Sequence, residues 1–292
     1  MLRLDSSLPV LSAMLYIMEQ PYPAVTLEIE DSIATILLNR PEHLNAWNNE
    51  ISEGLDNYLL ECDRDDSVRA VVISGNGRAF CAGADLSGGS DTFDPGRERD
   101  LDDDSDARTS KLLPHQISKP VIAAINGPAV GVGATYPLTC DIRIASSNAR
   151  IGFVFNRIGM LPELGSHSLL PMLVGFGNAS RLLMSAEIID AQTALAMGLV
   201  SAVHKSDELL GEAVALAQLL SSAAPVSVAA TKRLLWAGLG KSWAEMHTAE
   251  KPVFDWIGKQ ADAAEGIRAF LEKRPPEWSM SSYQDLPDEL FD

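Results

Sequence analysis

Basic residues are scarce in this chain: 23 Lys and Arg stand against 40 Asp and Glu among 292 residues, a formal net charge of −17. A surface with that balance repels phosphate backbones, so no nucleic-acid partner is expected. Cysteine is scarcer still. Cys62, Cys81 and Cys140 are odd in number and widely spaced, which makes neither a disulfide framework nor a Cys-x-x-Cys pair and points to a reducing, cytoplasmic compartment. The five histidines, His43, His115, His167, His204 and His247, include no pair at i, i+4 and no cysteine at ligand spacing, so no metal site is expected. Long apolar runs are missing too. Val121 to Leu138 is broken by Asn126, Gly127, Pro128, Gly131 and Gly133, where a membrane span needs about 20 apolar residues, and no membrane insertion is expected. Leu8 to Met18 is apolar but short, follows an acidic residue and lacks a small-residue cleavage site; it reads as an extension or helix, not a signal peptide.

What remains is an ordinary globular composition, 46% hydrophobic and 22% charged, with ample apolar surface for a large core. Val25, Leu27 and Ile29 alternate with polar residues, Asp31-Ser32 interrupts, and Ile33 to Leu38 resumes, the pattern of a two-strand hairpin. Ile51, Leu55 and Leu59 then recur four apart and predict a helix ending near Cys62. Val71 to Ser74 is a short buried strand stopped by Gly75-Asn76-Gly77. Pro120 to Ile125 is another, followed by a turn over Gly127 to Gly133 and a helix reaching Leu138; Asp141 to Ala145 is a further strand. Beyond Pro162 the spacing turns helical, over Asp207 to Ser222, Val226 to Ala237, Trp243 onward, and Ala261 to Lys273. Residues 87 to 110 mix Gly, Ser and Pro with a dense acidic run and read as a surface loop. Strand-helix alternation followed by helices predicts a layered α/β fold with an appended helical region. The expected divisions are an N-terminal extension (1–22), a core domain (23–205), a C-terminal helical region (206–274) and a tail (275–292), the extension and tail being loose ends.

Several motifs fail on inspection. Gly240-Lys241-Ser242 lacks the leading glycine of a phosphate loop, which would fall at Leu235, and lies between helices. Gly75 to Phe80 and Gly131 to Tyr136 both lack the third small residue of a dinucleotide fingerprint. No Gly-x-Ser-x-Gly elbow occurs, which weakens a serine hydrolase.

Two Gly-rich turns that follow strands carry the chemistry: Phe80-Cys81-Ala82-Gly83-Ala84-Asp85-Leu86 and Asn126 to Gly133. Each can present backbone N–H groups, although a short strand-to-helix loop needs small residues in any case. Together with Asn39 to Ala46, Lys119 to Gly127, Cys140-Asp141, Ala191 to Val200 and Phe270 to Arg274, taken in order along the chain, they resemble the enoyl-CoA hydratase/isomerase (crotonase) superfamily. That resemblance implies an α/β fold, a crotonase-like spiral of repeated β-β-α units with a C-terminal helical region, assembled as a homotrimer or hexamer. It implies an acyl-CoA thioester substrate and no cofactor, coenzyme A being part of the substrate. By the same resemblance the amides of Ala84 and Val132 form an oxyanion hole, which stabilises charge developing on an enolate oxygen. Val132 departs from the glycine often found there, but its backbone donor survives. Glu42, His43 and Leu44 are implied along the pantetheine path, Ala82, Ala84 and Leu86 around the adenine end of CoA, and Lys273 at the CoA phosphates, from a neighbouring subunit. Glu42 stands where the family commonly has a basic residue. Lys273 has an alternative reading as a solvated helix end favoured by the dipole. The acidic 87 to 110 loop, directly after the first turn, is placed to cover the acyl chain.

A hydratase of this family holds one water between two glutamates, because adding water needs a base for oxygen and an acid for carbon. Counting by the motifs, those positions are Thr135 and Phe155 here, so ordinary hydratase chemistry is disfavoured. One carboxylate remains, Glu163, at the position of the single base of β,γ-enoyl-CoA isomerases. Isomerisation needs one group, which removes the α-proton and returns it at the γ-carbon; partial desolvation would raise its pKa toward neutrality. On spacing alone Glu163 also reads as a first-turn acid of a helix starting after Pro162, with His167 on the same face. The leading expectation is an enoyl-CoA isomerase; the alternatives are an enoyl-CoA hydratase or acyl-CoA hydrolase, and a non-catalytic acyl-CoA-binding protein.

Overall fold

A computed structural model describes residues 21–93 and 112–291; residues 1–20 of the expected extension and most of the acidic loop lie outside them. The hairpin is present as β1 (Val25–Glu30) and β2 (Ile33–Leu38), with Val25 opposite Leu38. Asp31 and Ser32 both take positive φ, the two-residue turn whose twist suits antiparallel strands. Helix α1 (Asn49–Arg64) follows, and the Asn48 side chain accepts from the Ile51 amide at 3.1 Å as its cap. Its expected stripe of Ile51, Leu55 and Leu59 is fully buried.

The chain continues through β3 (Ala70–Gly75), β4 (Val121–Ile125), β5 (Pro128–Val130), α2 (Val132–Thr135), β6 (Ile142–Ser146) and β7 (Arg150–Gly152). Then come α3 (Ser166–Val174), α4 (Phe176–Ser185), β8 (Ile188–Asp190), α5 (Ala191–Met197) and β9 (Ala202–His204). Four helices close it: α6 (Leu209–Ser221), α7 (Pro225–Ala237), α8 (Trp243–Ile257) and α9 (Ala261–Glu272). No single helix among the described residues is long and apolar enough to cross a membrane.

Six strands form one sheet in the order β1-β2-β3-β4-β6-β9, parallel beyond the hairpin, and β5-β7-β8 form a smaller one. Strands β4 and β6 each run through a short turn into a strand of the smaller sheet, β5 and β7. The same move after β2 and β3 leaves single bridges, Trp47 to Ala84 and Cys81 to Ala129. This repetition, with α1, α2 and α3 following successive turns, is the expected β-β-α spiral.

Strands β3 and β4 of the large sheet are buried on both faces, which explains their unbroken apolar runs. Val71 and Ile73 point into the main core with α1, while Ala70 and Val72 pack with Leu209, Ala213 and Ala217 of α6. The three cysteines are free and buried, consistent with the absence of a disulfide framework.

Three local expectations change. The helix expected to reach Leu138 ends as α2 at Thr135 and tightens into a 3-10 turn over Tyr136–Thr139, because Pro137 has no amide to continue the ladder. The helix expected from Glu163 starts at Ser166, since Leu164 and Gly165 take positive φ; Glu163 is therefore not a first-turn residue. Residues 275–291, expected as a loose tail, pack against the rest. Trp278 Nε1 donates to the Ser222 carbonyl at 2.9 Å, Ser281 Oγ to Asp66 at 2.6 Å, and Leu286 is buried with Val226 and Val253.

Candidate active site

The two Gly-rich turns lie side by side because the segments that carry them pair. The Phe80 and Cys81 amides donate to the Pro128 carbonyl at 3.0 and 3.1 Å, and the Val130 amide donates to Cys81 at 2.9 Å. A Cβ on Gly133 would stand 2.2 Å from the Cys81 carbonyl oxygen, so only glycine allows this approach. Gly131, at φ +59°, reverses the chain so that α2 begins at Val132. The Val132 amide, being first in its helix, has no intrahelical acceptor. Among the described residues neither it nor the Ala84 amide donates to another backbone carbonyl. Both residues line a cavity of about 830 Å³.

Glu163 lines the same cavity. It sits in the irregular stretch before α3, where its carbonyl accepts from the Ser166 amide at 3.1 Å. Its Oε1 accepts a hydrogen bond from Thr135 Oγ1, a fully buried hydroxyl on the last residue of α2. Burial pushes the Glu163 carboxyl up to about 7, with the Thr135 hydroxyl and its own amide pulling it partly back. Phe155 is 8% exposed and lines this cavity. Met160, Leu161 and Ile158 add further apolar wall.

The other acids on the described wall are Glu50 and Asp85. Asp85 accepts from the Ser87 amide and from Arg40 Nη2, both at 3.0 Å, which holds its carboxyl below the usual range. Arg40 also donates to the Ala46 carbonyl at 2.6 Å, so this pair clamps the loop before α1 onto the first Gly-rich turn. Glu163 and Asp85 are thus shifted in opposite directions, Glu163 toward neutrality and Asp85 away from it. Metal-ligand clustering does not arise among the described residues.

Of the expected CoA contacts, Ala82, Ala84 and Leu86 line the cavity. Leu44 is joined to them, its carbonyl accepting from the Ala82 amide at 3.1 Å. Glu42 and His43 form an exposed 3-10 turn outside the cavity wall. Lys273 is an exposed residue in left-handed conformation at the end of α9, also outside the wall; within one chain the fold does not bring it to the site. Sequence reasoning missed the Arg40–Asp85 pair, Trp47 and Phe93 on the wall, and the Thr135–Glu163 bond. Pairs 45 and 28 residues apart leave no local pattern to read.

A model of the enoyl-CoA hydratase/isomerase family matches residues 28–281. The short-chain-enoyl-CoA hydratase of Clostridium acetobutylicum is 37% identical over 253 residues, covering 86% of this chain and 95% of that one. The 1,2-epoxyphenylacetyl-CoA isomerase of Escherichia coli is 32% identical over 254 residues, covering 86% and 96%. Among solved structures, a probable enoyl-CoA hydratase/isomerase from Mycobacterium abscessus superposes with a TM-score of 0.80 at 35% identity, over 87% of this chain and 98% of that one. The chain therefore belongs to the enoyl-CoA hydratase/isomerase family, within the crotonase superfamily, and shares that fold.

Proposed function

We propose that this acyl-CoA enzyme moves a double bond from the β,γ to the α,β position of an enoyl-CoA. The observation carrying this reading is that Glu163, a wall carboxyl raised toward 7, lines the cavity that Ala84 and Val132 also line. Carboxylate Glu163 takes the α-proton, and the C–H electron pair moves into the thioester carbonyl, giving a dienolate. Its oxygen is held by the two amides, whose fixed orientation in a water-poor pocket favours the developing charge. Glu163, now a carboxylic acid, returns the proton at the γ-carbon, leaving the double bond between α and β. One proton moves, no electron leaves and no water is consumed, so the reaction calls for no cofactor beyond the CoA of the substrate. A base with pKa near 7 suits both halves of that transfer.

Hydration is the second reading, favoured by the hydratase names of several relatives. Against it stand Thr135 and Phe155, neither of which can replace a glutamate in activating or protonating. The discriminating experiment gives purified protein a β,γ-enoyl-CoA and an α,β-enoyl-CoA side by side, with Glu163→Gln as the control. Isomerisation is expected in the wild type and should fall about 10²- to 10⁴-fold in the variant. Hydration alone would establish the hydratase, and silence on both substrates would leave a thioester hydrolase or a binding protein.

Ala82, Ala84 and Leu86 are proposed to contact the adenine end of CoA, and Glu42, His43 and Leu44 to flank the pantetheine outside the cavity. Lys273 would meet CoA phosphates from a neighbouring copy. Assembly as a trimer or hexamer is supported by the apolar side chains that α8 and α9 leave outside, Trp243, Phe254, Phe270 and Leu271. Such a face on a lone chain is unfavourable in water.

A further inference from the structure

We propose that Thr135 is the positioning residue that couples the base to the oxyanion hole: its hydroxyl pins Oε1 of Glu163, leaving Oε2 as the oxygen that exchanges the proton with substrate. This rests on the isomerase reading of Glu163. Four observations carry it. Glu163 lies in a stretch without helix or strand, between Met160 and Gly165, so its backbone alone fixes the carboxyl loosely. The bond from Thr135 is its side-chain anchor, its own amide supplying the other hydrogen bond. Thr135 is fully buried and ends α2, the same single turn whose first residue is Val132. The carbonyls of Gly131 and Val132 lie 3.5 and 3.4 Å from Thr135 Oγ1, so the hydroxyl is enclosed by acceptors and its one proton has a closer, charged acceptor in Glu163. One turn therefore holds an oxyanion donor at its start and the anchor of the base at its end, three residues apart.

This arrangement is distinct from a remnant of hydratase chemistry. A hydroxyl at position 135 does not act as a second acid or base beside a carboxyl of pKa near 7; it holds the first one. When Oε2 carries the proton, Oε1 is the carbonyl oxygen of the neutral acid and still accepts from Thr135, so the anchor survives the proton transfer. A donor binds the ionised form more strongly than the neutral one, so loss of the hydroxyl moves the Glu163 carboxyl upward. The charged groups on the described cavity wall besides Glu163 are Arg40, Glu50 and Asp85, and burial is the largest cause of the upward shift of the Glu163 carboxyl.

The test is a ¹³C NMR titration of the glutamate carboxyls in the free protein, with the Glu163 signal assigned by its absence in Glu163→Gln. Thr135→Val, which keeps the shape and removes the donor, should move the Glu163 midpoint up by about one pH unit. The alkaline-rising limb of kcat for isomerisation should move with it, and kcat at pH 7 should drop at least about fivefold, the share lost with the carboxylate form alone. Thr135→Ser should restore both. A folded Thr135→Val protein with an unchanged Glu163 midpoint would overturn the proposal, as would a folded Thr135→Ser protein that behaves like Thr135→Val. Because the titration needs no turnover, it reads the coupling even if no enoyl-CoA is isomerised, and Glu163→Gln activity separately reads the functional assignment.

Discussion

A carboxyl whose pKa rises from 4.5 to about 7 on folding marks a residue the fold holds at a cost. Between those two values the folded chain keeps a proton that the unfolded chain has released, so stability falls as pH rises through that window and the full penalty stands above pH 7. Glu163→Gln keeps the shape, can still accept from Thr135 and removes the charge. It should be more stable than the wild type at pH 8, by up to about 3 kcal/mol, with the gain disappearing by pH 4. Urea unfolding at the two pH values checks this, and equal stability at pH 8 would mean that the carboxyl is not desolvated. The variant that loses activity is thus expected to gain stability, as at other sites where function keeps an unfavourable group in place.

At the scale of the element, the site depends on two turns brought closer than side chains permit. A Cβ at Gly133 would fall 2.2 Å from the Cys81 carbonyl and 2.8 Å from the Cys81 Cβ; both belong to the first turn, so the clash must push the Ala84 and Val132 amides apart. Gly133→Ala should cost about 2 kcal/mol or more and lower isomerisation by a larger factor than the stability loss explains. Gly211→Ala is the control: it lies in α6, where an added Cβ meets nothing within 4 Å, and should raise stability by about 0.5–1 kcal/mol. Thermal unfolding and initial rates of both variants separate a packing effect from a site effect. If Gly133→Ala kept wild-type rates, the closeness of the turns would not matter to the chemistry.

At the scale of the molecule, the helical region is joined to the spiral through charge as well as apolar contact. Lys232 of α7 is 5% exposed and meets Asp141 at 2.9 Å, while its Nζ also donates to the Pro114 and Lys119 carbonyls. Trp236 Nε1 completes the group by donating to Asp141 at 2.7 Å. A buried cation with three acceptors holds α7 in one orientation, because no other placement satisfies it. Beyond that joint, α8 and α9 present Trp243, Phe254, Phe270 and Leu271 at 73–82% exposure. Sedimentation equilibrium should therefore give three or six times the mass of the chain, and Phe254→Asp should lower it; a wild-type monomer at micromolar concentration would sink the assembly and, with it, the role proposed for Lys273.

The elements with a strong internal period were legible before the fold: the hairpin from Val25 to Leu38, the α1 stripe at Ile51, Leu55 and Leu59, and the four closing helices. Their signals are local, since alternation and four-residue spacing depend only on which face meets the core. The three-residue strands β8 and β9 were not, being shorter than any period, and the start of α3 was displaced because left-handed Leu164 and Gly165 override the pull of Pro162 toward a helix. The amino-acid sequence by itself determined the family, through motifs that recur in order, and the chemical groups available to the site: two Gly-rich turns and one uncompensated glutamate. Only the tertiary structure decided that Ala84, Val132 and Glu163 share a cavity, that Arg40 reaches Asp85, and that the Thr135 hydroxyl meets the Glu163 carboxyl. Those contacts join residues tens of positions apart, and a chain that leaves the large sheet for a smaller one between successive strands brings together partners that no local spacing encodes.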